Sequence, residues 1–525
     1  METKEPRKRS EQRGRISRRQ LLRRVPALAA GVVLSSAIAT VRADGDPPPT
    51  LELSPAETQL PDARDGALRS QKQMMDSCVA RGNSLPSDIP PRFPVEAIES
   101  CLSRRQSEGR NSVTPPTPLQ QVLGDTGMWE SRLGLNNWVI LEEAEELNLG
   151  HFRFAISPYT AFVDDGRQRF LLMGNGAYVG SFRGNDYLED VQRRMFDRAV
   201  WCMANGRQGT AVVEIDRPLS AEKVSRIVRG LYDWGVRTVI WGNEVNDPGA
   251  VWRDNLPELV KIFTAAADTK KEHGLDDFEI SLPGMAYYGQ GEYLQKLLGT
   301  FRALVPSWGR GRPSEYLPFQ RVVDHYYGPV NGFLQRLTLM RQTMAKEGLN
   351  DLKFDLAEVG NPGGSDGQPI ATDQQMAEGY IPQVTSLAVA SGMVDRLFFY
   401  SALDSNDRYS LVRIENGRLV KKVSYQAFVT MAGLLARLSR VSWSETAETM
   451  GVEGSRSDGI EFTVLWSKVA DRDVGVPLPS GKRVFDALGQ EVREADPRQV
   501  TLRPASHPAL AGPARILVSR RREGS

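Results

Sequence analysis

The sequence predicts an α/β fold, a (β/α)8 barrel followed by a small C-terminal antiparallel β domain. Two observations carry that prediction. From about residue 119 to 438, short and continuously apolar runs alternate with amphipathic stretches, the pattern of parallel strands joined by crossover helices. After Leu438 the helical period disappears and brief apolar runs separated by turns take over, as in a small antiparallel sheet packed on a larger core.

Taken in order, the expected strands are His151–Ser157, Thr210–Ile215, Arg237–Trp241, Phe278–Leu282, Arg321–Tyr326, Lys353–Ala357 and Arg396–Tyr400. Helices are expected over 220–234, 254–273, 291–304, 332–346, 373–390 and 424–438, with an earlier one through the acidic run Glu142–Leu147. Seven visible βα units over roughly 300 residues favour a closed barrel over a doubly wound sheet, with the first strand expected around Gln121–Trp129. Beyond 438, strands are expected at Gly459–Trp466, Lys482–Phe485, Val500–Leu502 and Arg515–Val518. The domain boundaries that follow are 119–438 for the barrel and 439–525 for a β-sandwich-like domain.

Composition narrows the function class. The 525 residues are 40% hydrophobic and 25% charged, with 66 Lys+Arg against 65 Asp+Glu, which excludes wholesale disorder, a collagen and a polytopic membrane protein. Three cysteines and four histidines argue against a disulfide scaffold, a haem protein or a multi-metal site. The balanced charge hides an asymmetry. Residues 1–43 hold 11 Lys/Arg and 3 Asp/Glu, leaving 55 basic against 62 acidic residues, a net of −7. An acidic remainder does not suit a protein that tracks phosphates, so no nucleic-acid partner is expected.

The first 43 residues read as an address. Arg18 and Arg19 stand in Ser17-Arg-Arg-Gln-Leu-Leu22 behind a basic stretch, and an Ala-rich apolar run from Val25 to Val41 ends at Val41-Arg42-Ala43. This resembles a twin-arginine export signal cleaved after Ala43. It implies the twin-arginine export machinery as a partner, a periplasmic or extracellular destination and no stable membrane span after cleavage. A short anchor is the alternative, although the run is brief and weakly apolar for a bilayer span of about 20 residues. Residues 44–118 form a proline-rich leader, with Pro47-Pro48-Pro49, Pro90-Pro91 and Pro115-Pro116, and with short helices expected near 68–80 and 94–105. Cys78 and Cys101 could pair in an oxidising compartment, and Cys202 reads as a buried thiol.

In a barrel the chemistry gathers at the carboxyl ends of the strands. After Thr238-Val-Ile-Trp241 comes Gly242-Asn243-Glu244, and after Phe354-Asp-Leu-Ala357 comes Glu358-Val-Gly360-Asn-Pro362. Two glutamates therefore end two strands three positions apart on a closed ring, so that they face each other across its mouth. Paired carboxylates about 5 Å apart suit retaining glycoside hydrolysis, one as acid/base and one as nucleophile. The nucleophile must stay ionised, which needs hydrogen-bond donors, and Asn243 and Tyr327 are suitable. Each glutamate alone could equally be an ion-pair partner or a helix cap.

These residues resemble the clan A glycoside hydrolases, in particular their cellulase-like and β-xylosidase-like families, over residues 119–438. The resemblance implies that Glu244 is the acid/base, Glu358 the nucleophile, and Asn243 a ligand of the sugar 2-hydroxyl. His325 and Tyr327, in Val323-Asp-His-Tyr-Tyr-Gly328, match the clan's sixth-strand pattern, with Tyr327 touching the nucleophile. Arg153 is the candidate for the clan's early-strand arginine. Tyr400 stands where the clan usually carries a tryptophan platform. Trp241 and Trp252 are candidates for subsite platforms or for the core.

The expectation is an exported retaining glycosidase acting on a β-linked glycan, with carbohydrate as its substrate and no metal or organic cofactor. Alternatives are a non-catalytic carbohydrate-binding barrel, a transglycosylase using the same site, and a cofactor-loaded oxidoreductase sharing the export route. The last lacks a motif: Gly174-Asn-Gly176-Ala-Tyr-Val-Gly180 has the wrong spacing for a dinucleotide loop.

Overall fold

Eight parallel strands close into a barrel in a computed structural model. The structure describes residues 51–52, 116–124, 132–136, 150–156, 172–173 and, apart from short internal breaks, 208–520. The expected export signal, the leader helices, the 142–147 helix, the loop at 174–180 and all three cysteines lie outside the described residues.

The barrel strands are β1 Leu133–Asn136, β2 His151–Ile156, β3 Gln208–Val213, β4 Thr238–Trp241, β5 Glu279–Ser281, β6 Arg321–Tyr326, β7 Lys353–Val359 and β8 Arg396–Phe399. Each pairs in parallel with the next, and β8 closes the ring on β1. One expectation is overturned. Residues 118–123 form a helix, α1 Pro118–Leu123, not a strand. Thr117 caps it by accepting from the Gln120 amide, Gln120 returns the bond to the Thr117 amide, and Pro118 opens the first turn, a reciprocal cap that commits the segment to a helix. The first strand lies further on, at Leu133-Gly-Leu-Asn136. Gly134 is required there, because a β-carbon would stand 2.5 Å from the Phe398 ring of the neighbouring strand.

The other helices follow their strands: α2 Ala221–Asp233, α3 Leu256–Glu272, α4 Gln290–Leu304, α5 Val330–Lys346, α6 Ile381–Ala390 and α7 Val423–Leu434. Helical spacing explains their seating. Val224, Ile227, Val228 and Leu231 of α2 and Val330, Phe333, Leu337, Met340 and Met344 of α5 recur every three or four residues and are buried, which turns one stripe of each helix onto the sheet.

Inside the ring, alternate residues turn toward the axis. Val212, Ile240, Val323 and Ala357 pack on one another apart from the main core. Beneath them Asp355 accepts from Arg321 at 2.8 Å and pairs with Arg396, which also donates to Thr210 and Thr238. Burial would raise the Asp355 carboxyl, but the two guanidiniums overcome it and hold the group below its ordinary value. The barrel floor is thus a closed polar layer.

The C-terminal sheet holds β9 Leu438–Glu445, β10 Thr449–Arg456, β11 Ile460–Ser467, β13 Arg483–Asp486 and β15 Arg515–Arg520, beside a small pair, β12 Val474–Pro477 with β14 Gln499–Leu502. Strands β9, β10 and β12 were not expected. The last barrel helix stops at Leu434, short of the expected Leu438, and Arg437 takes a positive φ of 54° as the chain turns into β9. The β domain is bound to the barrel: Arg456 donates to the Gly433 carbonyl at 2.6 Å, Gln383 to that of Gly512 at 2.6 Å, and the Val330 amide to that of Ala509 at 3.0 Å. It covers the outer side of α6, all ten residues of which are buried, so that helix presents no face to solvent. Among the described residues no helix is long and apolar enough to cross a membrane.

Candidate active site

The two glutamates meet. One oxygen of Glu244, one of Glu358 and Nδ1 of His325 lie within 4.8 Å of one another. Glu244 follows β4 on a turn that the local sequence builds. Gly242 has φ 90°, and a β-carbon there would stand 2.6 Å from Val245 Cγ1. Glu244 itself has φ 46°, a left-handed conformation that costs a residue with a side chain about 1–3 kcal/mol and clusters at functional sites. Asn246 stitches this loop to the one after β5, donating to the Ala286 carbonyl at 3.1 Å and accepting from its amide at 2.6 Å.

Glu358 reaches the site differently. In β7, Phe354 and Leu356 pack into the main core outside the ring and Ala357 faces inward. Strict alternation would send Glu358 outward with Leu356. The ladder shifts here: Asp324 pairs with Leu356 but His325 with Glu358, and Leu397 pairs with Leu356 but Phe399 with Val359. Ala357 is skipped on both sides. This bulge re-aims the following side chain, and Glu358 enters the mouth.

Around Glu358 the donors converge. Arg153 Nη1 donates to Glu358 Oε1 at 2.8 Å and to Asn136 Oδ1 at 2.7 Å, while Nη2 donates to Asn243 Oδ1 at 2.8 Å. The Tyr327 hydroxyl donates to Glu358 Oε2 at 2.6 Å. His325 Nδ1 lies 3.2 Å from Glu244 Oε1 and 3.5 Å from Glu358 Oε2. Burial would push the Glu358 carboxyl up. The His325 ring, the Arg153 guanidinium and the Tyr327 phenol outweigh it and hold the carboxyl below its ordinary value. Burial, followed by the charge of Glu358, raises the Tyr327 phenol well above its ordinary value, so it remains a donor. The side chain of Glu358 is 5% exposed and that of Glu244 35%. One carboxylate is enclosed and fixed as an anion, and the other opens toward solvent.

The sequence-derived residues divide clearly. Glu244, Glu358, Asn243, Arg153, His325 and Tyr327 come together. His325 is fully enclosed and turns Nδ1 to the two carboxylates, so it orients them and does not itself offer a surface to a sugar. Gly284 closes its far side, where a β-carbon would stand 2.4 Å from Nε2. Tyr400 ends β8 and packs edge-on against Tyr327 and Tyr409, which also meet each other at 5.7 Å. Trp241 is not at the mouth. It is fully buried in the core outside the ring, because Thr238 and Ile240 take the inward positions of β4. Trp252 is also core, its indole donating to the Ile215 carbonyl at 2.5 Å.

Two residues were missed from sequence. Asn136 lies on the unrecognised first strand, and Tyr409 follows an irregular stretch after β8 with no periodic signal. The trio of Glu244, His325 and Glu358 also has donor atoms of the kind that bind a divalent cation. Arg153 argues against that use: its guanidinium is already 2.8 Å from Glu358, and its charge repels a second cation.

No family model matches the sequence, and no curated protein matches it. Solved structures similar to the chain include a family 39 glycoside hydrolase from the gut symbiont Bacteroides cellulosilyticus WH2, at 14% identity over 75% of this chain and 81% of that one, with a TM-score of 0.48. A family 44 xyloglucanase from Paenibacillus polymyxa is 11% identical over 78% of this chain and 98% of its own, with a TM-score of 0.45. A family 51 arabinofuranosidase from Xanthomonas axonopodis pv. citri is 11% identical over 62% and 77%, with a TM-score of 0.40. At such identities and scores, what these proteins act on is not carried over to this chain, and its function rests on its own site.

Proposed function

We propose that the protein is a retaining glycoside hydrolase that cleaves β-glycosidic bonds by double displacement. The observation that carries this reading is the spacing of Glu244 and Glu358, whose nearest oxygens fall within 4.8 Å. Inverting enzymes need a gap of about 6.5–9.5 Å to admit a water between the carboxyls, and retaining ones about 5–5.5 Å. The unequal environments support the division of roles. Glu358, buried and held as an anion by Arg153 and Tyr327, attacks the anomeric carbon. Glu244, open to solvent, protonates the departing glycosidic oxygen and then takes a proton from the water that releases the sugar from Glu358.

The remaining residues serve these steps. Asn243 gives its Oδ1 to Arg153, which leaves the amide NH2 end to donate to a sugar hydroxyl. Tyr400 and Tyr409 supply apolar edges to the mouth. The N-terminal sequence supports export through the twin-arginine route, with cleavage after Ala43, to the periplasm or beyond the cell. N-terminal sequencing of the exported protein checks that part.

The function is tested by reducing-sugar release from β-glucans, mannans, xylans, galactans and bacterial exopolysaccharides, with Glu244→Gln and Glu358→Ala beside the wild type. The expected result is release from one glycan class that falls by at least roughly 1,000-fold in Glu358→Ala, as for loss of an essential nucleophile. Transfer products in place of free sugar would make the protein a transglycosylase. Silence from a folded wild type that is still retarded by one of the glycans in affinity electrophoresis would make it a binding barrel.

A further inference from the structure

We infer that Asn136 is a positioning residue for the nucleophile, acting through Arg153 and through the bulge that turns Glu358 into the mouth; this rests on the retaining-glycosidase reading. Asn136 ends β1 and is 1% exposed. Its carboxamide works at both ends. Oδ1 accepts from Arg153 Nη1 at 2.7 Å, and that nitrogen also donates to Glu358 Oε1 at 2.8 Å. Nδ2 donates to the Ala357 carbonyl at 2.9 Å and to that of Phe399 at 3.4 Å.

The Ala357 contact gives the arrangement its meaning. Ala357 is the residue that the β6 and β8 ladders both skip. A bulge leaves backbone groups without regular ladder partners, and a buried carbonyl without a donor is costly. Asn136 supplies that donor one residue before Glu358. The Asn136 main chain is held as well, its carbonyl accepting from the Ala402 amide at 2.8 Å. One buried side chain therefore fixes the backbone that aims the nucleophile and the guanidinium that keeps it ionised. Among the described residues no other group performs both tasks: Tyr327 reaches only the other carboxylate oxygen, and Asn243 only the other guanidinium nitrogen.

The test compares wild type with Asn136→Ala and Asn136→Asp. The alanine removes both arms. The aspartate keeps an acceptor for Arg153 but sets an oxygen against the two carbonyls and adds charge beside Glu358. On an aryl β-glycoside, both variants should lose roughly 10- to 100-fold in kcat, as for a misplacement of the order of an ångström, with KM within about threefold of wild type. The acid limb of the pH profile should move up by about one unit, more in the aspartate, because Arg153 is no longer held firmly against Glu358 and, in the aspartate, a second negative charge beside Glu358 disfavours its anion. A folded variant with wild-type kcat and an unmoved acid limb would overturn the inference.

A purely structural tie between β1 and β8 would lower stability without moving that limb. If the wild type is silent on every aryl glycoside, the functional reading fails, and the inference is then judged by thermal unfolding from about pH 3 to 7, which needs no substrate. The wild type should lose more stability than Asn136→Ala as pH falls from about 5 to 3, because its Glu358 is the more strongly held as an anion, so the gap between the two should narrow; parallel curves would contradict the inference.

Discussion

Tyr327 and Glu358 sit at the ends of adjacent strands, joined by a 2.6 Å hydrogen bond from the phenol to the carboxylate. The bond is made to the charged form of Glu358 and so favours it. Tyr327→Phe should raise the Glu358 pKa and move the acid limb of kcat/KM upward. A hydrogen bond to a charged group is worth about 1.5–3 kcal/mol, so the rate should fall roughly 10- to 150-fold. A pH–rate profile of the variant checks both the direction and the size.

Glu358 also makes a stability prediction. Its folded pKa is depressed, below an unfolded value of about 4.3. The stability it contributes is therefore fully present above that unfolded value and lost as pH falls through the folded one. Urea midpoints for wild type and Glu358→Gln should differ by a constant amount from about pH 7 to 5, and the gap should narrow below about pH 4. A gap that stays constant down to about pH 3 would show that the ion pair with Arg153 does not favour the anion.

Gly284 is reserved for the His325 ring. Gly284→Ala would force a β-carbon to within 2.4 Å of Nε2, so the ring must shift away from the two carboxylates. Overpacking of this kind costs about 1–3 kcal/mol, and kcat should fall with it. Gly291→Ala is the control, since a β-carbon there meets nothing within 4 Å and should be neutral or stabilising by up to about 1 kcal/mol. Calorimetry and initial rates on both variants separate crowding of the histidine from a general intolerance of alanine.

The β domain should not melt on its own. The Arg456 side chain is fully enclosed between Asp458 and the Gly433 carbonyl at the end of α7. Arg456→Met leaves the buried Gly433 carbonyl without its donor and the part-exposed Asp458 without its cation, and should lower stability by about 1–3 kcal/mol, as for a buried acceptor left unsatisfied. Scanning calorimetry should give one transition for wild type. A second, separate transition for the β domain would contradict the idea that it is part of the barrel's own packing.

Much of this was legible in the sequence because most strands from His151 onward contain a short apolar run and their helices carry buried stripes every three or four residues. The first strand was not. Leu133-Gly-Leu-Asn136 is short and enclosed on both faces, so it shows neither alternation nor a long apolar run. Its glycine answers to Phe398, on the last strand of the barrel. A local signal did stand against the expected strand around Gln121–Trp129. Thr117 followed three positions later by Gln120, with Pro118 between them, is the pattern of a helix start.

The glutamates could be found because each follows an apolar run, but the inward turn of Glu358 could not. It depends on a bulge at Ala357, and strand periodicity alone sends that side chain outward. Trp241 failed for the complementary reason. Its place at a strand end suggested a platform, while the parity it shares with Val239 puts it in the outer core. The enclosure of His325 is likewise a tertiary fact, made by Gly284 from another strand end.

The pairing of Glu358 as nucleophile with Glu244 as acid/base is tested most directly by azide rescue on an aryl β-glycoside with a good leaving group. Azide should restore turnover to Glu358→Ala with a single inversion, giving the α-glycosyl azide. With Glu244→Ala it should intercept the covalent intermediate and give the β-glycosyl azide. Proton NMR of the anomeric position reads both. Rescue of either variant with the opposite anomer, or release of an α-configured sugar as the first product of the wild type, would contradict the account.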